Sequence, residues 1–118
     1  MRLLIVEDDE VCLMLLEESF STTNATILHA DDGQAAIQLY KENQDIDLVL
    51  LDIQIPQMDG YEVFKEMKAI NSNIPIIAQT AYFQIEEESK NRNISFDGYF
   101  RKPIQIEEVF KTLNSLFN

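Results

Sequence analysis

The sequence predicts one doubly wound α/β domain, in which helices cover both faces of a parallel β-sheet. Apolar segments alternate with amphipathic segments along the whole chain, and no linker, repeat or low-complexity tract interrupts them. Several apolar segments are short, continuous and rich in Leu, Ile and Val, which is typical of strands covered on both faces. The chain has 118 residues, of which 46% are hydrophobic, so we expect a single domain over residues 1–118 with a core of its own.

Five segments have the pattern of buried strands, and helical patterns lie between them. The predicted strands are Leu3–Val6, Ala25–His29, Leu48–Leu51, Ile76–Gln79 and Gly98–Phe100. Strict alternation of strands and helices predicts a flavodoxin-like (βα)5 fold with right-handed crossovers and strand order 2-1-3-4-5. The carboxyl ends of all the strands then lie along one edge of the sheet, where such folds bind their ligands.

The helices are predicted from apolar residues spaced three and four positions apart. In the last helix this spacing runs from Ile106 to Phe117. The other helical segments are Val11–Phe20, Asp32–Asn43 with Asp32 as a cap, a segment carrying Val63, Phe64, Met67 and Ile70, and a short polar segment between Gln84 and Asn91. The first helix is apolar through most of its length, and we expect Cys12, Met14 and Met67 to lie in the core.

Composition excludes several classes of function. Nine basic residues against 21 acidic ones give a formal charge of −12, which argues against direct binding of nucleic acid. Cys12 is the only cysteine, so no internal disulfide can form, which fits a reducing compartment. The apolar run Leu3–Val6 is cut off by acidic residues and is too short for a signal peptide or a membrane span. We therefore expect a cytoplasmic protein with no membrane partner.

Polar side chains stand at the ends of four predicted strands. Glu7 and Asp8 follow the first strand, Asp52 the third, Thr80 the fourth, and Lys102 comes shortly after the fifth. Because the first and third strands are neighbours in the predicted order, three carboxylates should meet at the centre of the edge. Taken singly, acids often cap helices or serve turns, and a lone Thr or Lys is usually exposed. The combination on one edge favours a functional site.

Three adjacent carboxylates repel one another unless a cation lies among them. Oxygen ligands in a small open site suit Mg²⁺, and Mn²⁺ would also fit. A carboxylate can attack phosphorus and form an acyl phosphate, which makes Asp52 a candidate nucleophile. The metal would neutralise charge on the transferring group, while Lys102 and Thr80 would bind its oxygens.

Four segments of the chain resemble the receiver domain of response regulators. They are Leu-Ile-Val-Glu-Asp-Asp at residues 4–9, Asp-Leu-Val-Leu-Leu-Asp-Ile-Gln-Ile-Pro-Gln-Met-Asp-Gly at 47–60, Ile-Ile-Ala-Gln-Thr-Ala at 76–81 and Gly-Tyr-Phe-Arg-Lys-Pro-Ile at 98–104. Each segment alone is a weak signal, but all four at these spacings are highly specific. The resemblance implies a two-component signalling switch rather than a separate catalyst, with a histidine kinase or a histidine phosphotransfer protein as phosphodonor.

The resemblance also implies roles for single residues. They are metal binding by Glu7, Asp8, Asp52 and the backbone carbonyl of Gln54, phosphoryl acceptance by Asp52, phosphoryl binding by Lys102 and Thr80, and switching by Thr80 and Tyr99. A family output surface on the fourth helix, last strand and last helix would bind a downstream protein or a second copy. Its candidates here, which ordinary packing would also explain, are Tyr82, Phe83, Tyr99 and Phe110.

Two other positions lead to expectations of their own. Ser95 stands where the family commonly has a Gly that ends the fourth helix in a left-handed turn, so the end of that helix departs from the pattern. His29 ends the outer strand, and we expect it to be structural and to lie far from the carboxylates.

Several alternative functions remain open. An FMN carrier of the same fold would need a phosphate-binding loop after the first strand, where this chain has Glu-Asp-Asp-Glu. A Mg²⁺-dependent aspartyl phosphatase would require a second Asp at the position of Gln54. A degenerate receiver that only docks is a third alternative, although every expected site residue is present. Residues 51–62 also resemble receivers fused to hybrid histidine kinases, so the chain is either a single-domain regulator or a module of such a kinase.

Overall fold

The computed structural model describes residues 1–55, 58–81 and 84–117, which form alternating strands and helices. The elements are β1 Arg2–Val6, α1 Glu10–Ser19, β2 Thr26–Ala30, α2 Gly33–Glu42, β3 Leu48–Asp52, α3 Gly60–Ile70, β4 Ile76–Thr80, α4 Ile85–Asn91, β5 Gly98–Arg101 and α5 Ile106–Phe117. All strand pairs are parallel, and the order β2-β1-β3-β4-β5 confirms the predicted flavodoxin-like arrangement.

Each strand differs from its predicted counterpart by one residue at one or both ends. β3, β4 and β5 each extend by a residue that the sequence had placed just beyond the strand. The sheet continues because Asp52 pairs with Gln79, and Thr80 pairs with Arg101. Asp52 and Thr80 are therefore fixed by the sheet itself and do not depend on a loop for their position.

The sheet separates two hydrophobic cores. The first core lies on the side of α2, α3 and α4, and its strand residues include Val6, Leu51 and Ala78. The second core lies on the side of α1 and α5, and its strand residues include Ile5, Leu50, Ile77 and Phe100. Successive side chains of a strand point to opposite faces, so neighbours in sequence fall into different cores. Every residue of β3 and β4 is buried, as predicted for strands covered on both sides.

Aspartate side chains cap the first three helices. Asp9, Asp32 and Asp59 each accept a hydrogen bond from a backbone N–H two or three residues further along, at 2.8 to 2.9 Å. Such contacts satisfy amides at the helix N-terminus that have no partner within the helix. The cap at Asp32 confirms the sequence prediction.

The end of α4 is formed by an asparagine. Asn93 adopts a φ of 56°, the left-handed conformation that most residues avoid. Its backbone N–H bonds to the carbonyl of Lys90, and the N–H of Ile94 bonds to the carbonyl of Ser89, which together form a Schellman motif. The left-handed turn thus lies at Asn93, whereas the family pattern has it two residues later, at the position of Ser95.

Helix α1 presents an apolar face to solvent, which corrects one sequence prediction. Met14 is 66% exposed and does not belong to the core, whereas Met67 is fully buried and Cys12 is half-buried. Val11 and Leu15 are also exposed, at 65% and 56%. We call these three exposed residues, Val11, Met14 and Leu15, the α1 apolar face. Among the described residues, no helix combines the length and the apolar character needed to span a bilayer.

Candidate functional site

Three carboxylates lie together where β1 and β3 end. Glu7 follows β1 directly and Asp52 is the last residue of β3, and their side chains are 0% and 4% exposed. Asp8 is exposed to solvent. One oxygen from each of the three residues lies within 4.8 Å of the other two. The structure therefore brings together the carboxylates that the strand ends predicted.

Lys102 provides a cation at the same edge. Its backbone N–H bonds to the carbonyl of Thr80 at 2.9 Å, which continues the pairing of β5 with β4. From there the side chain reaches across the sheet, and Nζ lies 2.8 Å from Asp52 Oδ2 and 2.7 Å from Glu7 Oε1. A single ammonium group thus contacts both buried carboxylates.

The electrostatics of this cluster favour a protonated glutamic acid. Burial raises the pKa of Glu7 to about 7, and the neighbouring Asp52 adds to the shift more than Lys102 offsets it. For Lys102, burial works against the charged form, but the contacts with Asp52 and Glu7 outweigh it and raise the pKa of the ammonium group. One lysine therefore does not fully neutralise the acidic cluster.

The second oxygen of Asp52 is also held. The backbone N–H of Gln54 donates to Asp52 Oδ1 at 2.9 Å, so each carboxylate oxygen has its own donor. The backbone after β3 is tied to helix α3, because the N–H of Gly60 bonds to the carbonyl of Ile53. A Cβ atom on Gly60 would lie 2.6 Å from Ile53 Cα, which explains why glycine begins this helix.

The donor set fits a hard divalent cation. Glu7, Asp8 and Asp52 offer only oxygen ligands, two of them buried and one open to solvent. The carboxylates of Glu7 and Asp52 lie close together beside a single lysine, and a divalent cation would neutralise the charge that remains. Gln54 adjoins these residues through its backbone N–H, and the role of its carbonyl as a ligand stays a prediction.

Thr80 and Tyr99 lie on the other side of the sheet from Asp52. Thr80 is the buried last residue of β4, and strand alternation places it on the first-core side, two residues after Ala78. Tyr99 pairs with Ala78 and packs against the same core, with its ring 5.7 Å from that of Phe96. The two predicted switch residues thus share one face of the sheet.

Two residues of the predicted output surface, Tyr99 and Phe110, lie on opposite faces of the sheet. Tyr99 packs against the first core, whereas Phe110 packs against the second, with its ring 5.8 Å from that of Phe20. Because β5 is an edge strand, both faces of the sheet are reached around it, and the output surface stays a prediction. Tyr82 and Phe83 lie outside the described residues.

One contact near the site was missed by sequence reasoning. His29 Nε2 lies 2.8 Å from the backbone carbonyl of Glu7, so this ring is closer to the acidic cluster than predicted. Its side chain contacts the main chain and not a carboxylate, which agrees with a structural role. The pairing of Ile5 with His29 explains the proximity, and a strand register of this kind is not visible in the sequence.

A flavodoxin-like sheet with three carboxylates and a lysine at its carboxyl edge defines a receiver-type switch domain. The model of the response regulator receiver domain matches residues 3–114. The chain belongs to this family, whose members are signalling switches of two-component systems and not separate catalysts.

Relatives and solved structures agree with this assignment. The chain is 35% identical over 108 residues to sporulation initiation phosphotransferase F of Bacillus subtilis, and this match covers 92% of this chain and 86% of that protein. It resembles the signal receiver domain of an HD domain-containing protein of Pseudomonas fluorescens, with a TM-score of 0.87, 26% identity and coverage of 97% and 84%. It also resembles a chain in the CheX–CheY complex with BeF3 and Mg²⁺ from Borrelia burgdorferi, with a TM-score of 0.86, 26% identity and coverage of 100% and 90%.

Other curated relatives are longer than this chain. It spans 46% of the transcriptional regulatory protein YrkP of Bacillus subtilis and 50% of the response regulator MprA of a Mycobacterium species. The domain described here is therefore shared by proteins of different total length.

Proposed function

We propose that the chain is a phosphoryl-accepting switch and that Asp52 takes the phosphoryl group from a phosphohistidine. One observation carries this proposal. Asp52 is a buried carboxylate whose two oxygens are each oriented by a separate donor, the ammonium of Lys102 and the backbone N–H of Gln54. A nucleophile held in this way beside a cation is suited to attack phosphorus. Membership of the receiver family supports the same role.

The transfer exchanges one bond of phosphorus for another. An oxygen of Asp52 forms a bond to phosphorus while the bond from phosphorus to the donor's histidine nitrogen breaks. The electron pair of the broken bond stays on the ring nitrogen, which takes up a proton, and Asp52 becomes an acyl phosphate. Lys102 and Thr80 bind the phosphoryl oxygens, and Lys102 already lies 2.8 Å from Asp52. Mg²⁺ or Mn²⁺, held by Glu7, Asp8, Asp52 and the Gln54 carbonyl, would neutralise negative charge on the group.

The output depends on the shared face of Thr80 and Tyr99. A phosphoryl group on Asp52 draws the Thr80 hydroxyl toward it, and this changes the space available to the Tyr99 ring beside Phe96. The phosphorylated state then favours one arrangement of α4 and β5 over another, because its contacts are better in that arrangement. A downstream protein or a second copy would recognise this surface. The donor is a histidine kinase or a histidine phosphotransfer protein, and the chain acts alone or as a module of a hybrid kinase.

The test is transfer of label to the Asp52→Asn variant. Purified protein is incubated with Mg²⁺ and a radiolabelled histidine phosphotransfer protein, and the base-labile label on the chain is measured. We expect the variant to take up no such label above background, because the amide cannot form the acyl phosphate. Asp31→Asn is the matched control, since Asp31 is an exposed aspartate directly after β2 at the same edge. Wild-type labelling of Asp52→Asn would refute the assignment, and repeated turnover of small phosphate esters would favour a phosphatase instead.

A further inference from the structure

Gln79 is a fully buried polar residue whose side chain the proposed mechanism does not use. It is 0% exposed, and neither atom of its amide group has a hydrogen-bond partner among the described residues. Burying an amide without a partner destabilises a protein, and such a group in a folded chain calls for an explanation. Its position in the sheet suggests one.

Gln79 lies beside Asp52 in a row of residues that crosses the sheet. Asp52 on β3 pairs with Gln79 on β4, and Gln79 pairs with Phe100 on β5. Leu50, Ile77 and Phe100 belong to the second core, so strand alternation places Asp52 and Gln79 on that same side. The row therefore brings the unpartnered amide next to the phosphoacceptor.

Lys102 must pass over this row to reach its partners. It follows Phe100 by two residues on the strand end, whereas its Nζ contacts Asp52 on β3 and Glu7 beyond β1. Neighbouring strands are roughly 4.8 Å apart, and β4 lies between β5 and β3, so the lysine side chain crosses the end of β4, on the face where strand alternation places Gln79. An ammonium group has three N–H donors, and the two carboxylates account for two of them.

We propose that Gln79 is a positioning residue for Lys102: its amide oxygen accepts a hydrogen bond from the ammonium group when a divalent cation engages Glu7 and Asp52. This inference rests on the proposed function. A cation that takes up the carboxylate oxygens weakens the hold of Glu7 and Asp52 on Lys102. The neutral amide then keeps the ammonium group above Asp52, where the phosphoryl oxygens arrive. A carboxylate at this position would add a fourth negative charge to the cluster, and an apolar side chain would offer no acceptor.

Because the new hydrogen bond forms only in the cation-bound state, it must strengthen cation binding. The test is therefore a double-mutant cycle on Mg²⁺ affinity, measured by calorimetry without any phosphodonor. We expect Gln79→Met to weaken Mg²⁺ binding about tenfold, the effect of one hydrogen bond to a charged group. In the Lys102→Met background the same substitution should change Mg²⁺ affinity by less than about twofold. Gln38→Met, at an exposed position of α2, is the control for the chemical change itself.

The other outcomes of the Mg²⁺-binding measurements overturn the proposal. Unchanged Mg²⁺ affinity in Gln79→Met would give Gln79 a structural role only, and equal weakening in both backgrounds would mean that Gln79 acts without Lys102. A wild-type chain that binds no Mg²⁺ would remove the event that frees the ammonium group. Thermal melts without Mg²⁺ establish that the variant folds, and Gln79→Leu replaces it in the cycle if Met does not fit. Mg²⁺ binding with no labelling of Asp52 would refute the proposed function and leave the cycle to decide on Gln79.

Discussion

Among single residues, Glu7 shows most directly how burial and neighbouring charge set behaviour. Its side chain is 0% exposed and faces Asp52 and Lys102, and its pKa is raised to about 7 from an ordinary 4.5. A folded state that binds a proton more tightly than the unfolded state is stabilised at low pH, and this stabilisation is lost as pH rises through the folded-state pKa. This change of stability with pH is opposite in sign to that of a carboxylate held in a simple salt bridge.

We therefore predict that the metal-free protein loses stability between pH 4.5 and about 8 through Glu7. From the shift of its pKa, the loss is up to about 3 kcal/mol in the free energy of unfolding. Urea denaturation in the presence of a chelator, repeated across this pH range, gives the profile. Glu7→Gln should lack this contribution, so the difference between wild type and variant isolates it from other carboxylates. A difference that is independent of pH would contradict the raised pKa.

At the residue scale, the sequence predicts which side chains end a strand but not which side chains lie beside them. Glu7, Asp8, Asp52 and Lys102 were identified because strand ends are visible as breaks in apolar runs, and parallel strands bring their ends to one edge. The environment of Gln79 depends on its register with Asp52 and Phe100, which no local pattern records. Its place in the site could only be seen in three dimensions.

Among the elements, helix α3 depends on a close approach to the end of β3. A Cβ atom on Gly60 would lie 2.6 Å from Ile53 Cα and 2.9 Å from the Ile53 carbonyl oxygen. Both are backbone atoms, so the helix or the strand end must move to make room. Since Ile53 adjoins Asp52, the same movement would disturb Asp52.

We predict that Gly60→Ala destabilises the protein by about 2 kcal/mol, although alanine favours helices intrinsically. Chemical denaturation measures the change in the free energy of unfolding. Gly98→Ala is the matched control, because a Cβ atom there would meet Thr112 Cγ2 at 3.4 Å, an ordinary contact. We expect it to change stability by less than about 0.5 kcal/mol. Equal effects of the two substitutions would show that contact with Ile53 is not the cause.

Helix α1 shows where periodicity fails as a guide to packing. The helix is apolar on more than one side, so the sequence could not indicate which side faces the sheet, and Met14 was assigned wrongly to the core. Leu16 is buried, while the α1 apolar face is open to solvent. This face begins directly after the acidic residues of the site. We expect a donor protein that brings phosphohistidine to Asp52 to contact this part of the surface.

We predict that Met14→Asp slows phosphoryl transfer from a histidine phosphotransfer protein by about tenfold or more. The reason is that a charge replaces an apolar contact in the complex with the donor. Transfer from a small acyl phosphate should remain within about twofold of wild type, since Asp52 itself is unchanged. Phe117→Asp, at the C-terminal end of α5 and 41% exposed, should affect neither rate. A Met14→Asp variant that accepts from both donors normally would exclude this face from docking.

For the whole molecule, strand order follows from the alternation of strands and helices, and this part of the prediction was confirmed. Because crossovers between parallel strands are right-handed and the strands are short and buried, five strand–helix units can be arranged in only a few ways. The sequence predicted the strand ends to within one residue, because the apolar runs stop abruptly. The end of α4 departs from the family pattern as expected, and the left-handed turn lies at Asn93, because asparagine tolerates that conformation better than most residues.

The division of the molecule into two cores restricts how information travels through it. Asp52 lies on the side of one layer of helices, while Tyr99 packs on the side of the other. The five-stranded sheet separates the two cores, and its side chains there are tightly packed and aliphatic. Such side chains cannot carry a charge from one face of the sheet to the other. We therefore expect the proposed signal from Asp52 to Tyr99 to pass around the carboxyl edge of the sheet, where Thr80 ends β4. Such a signal would change the structure only at the edge of the sheet, and the two cores could stay rigid.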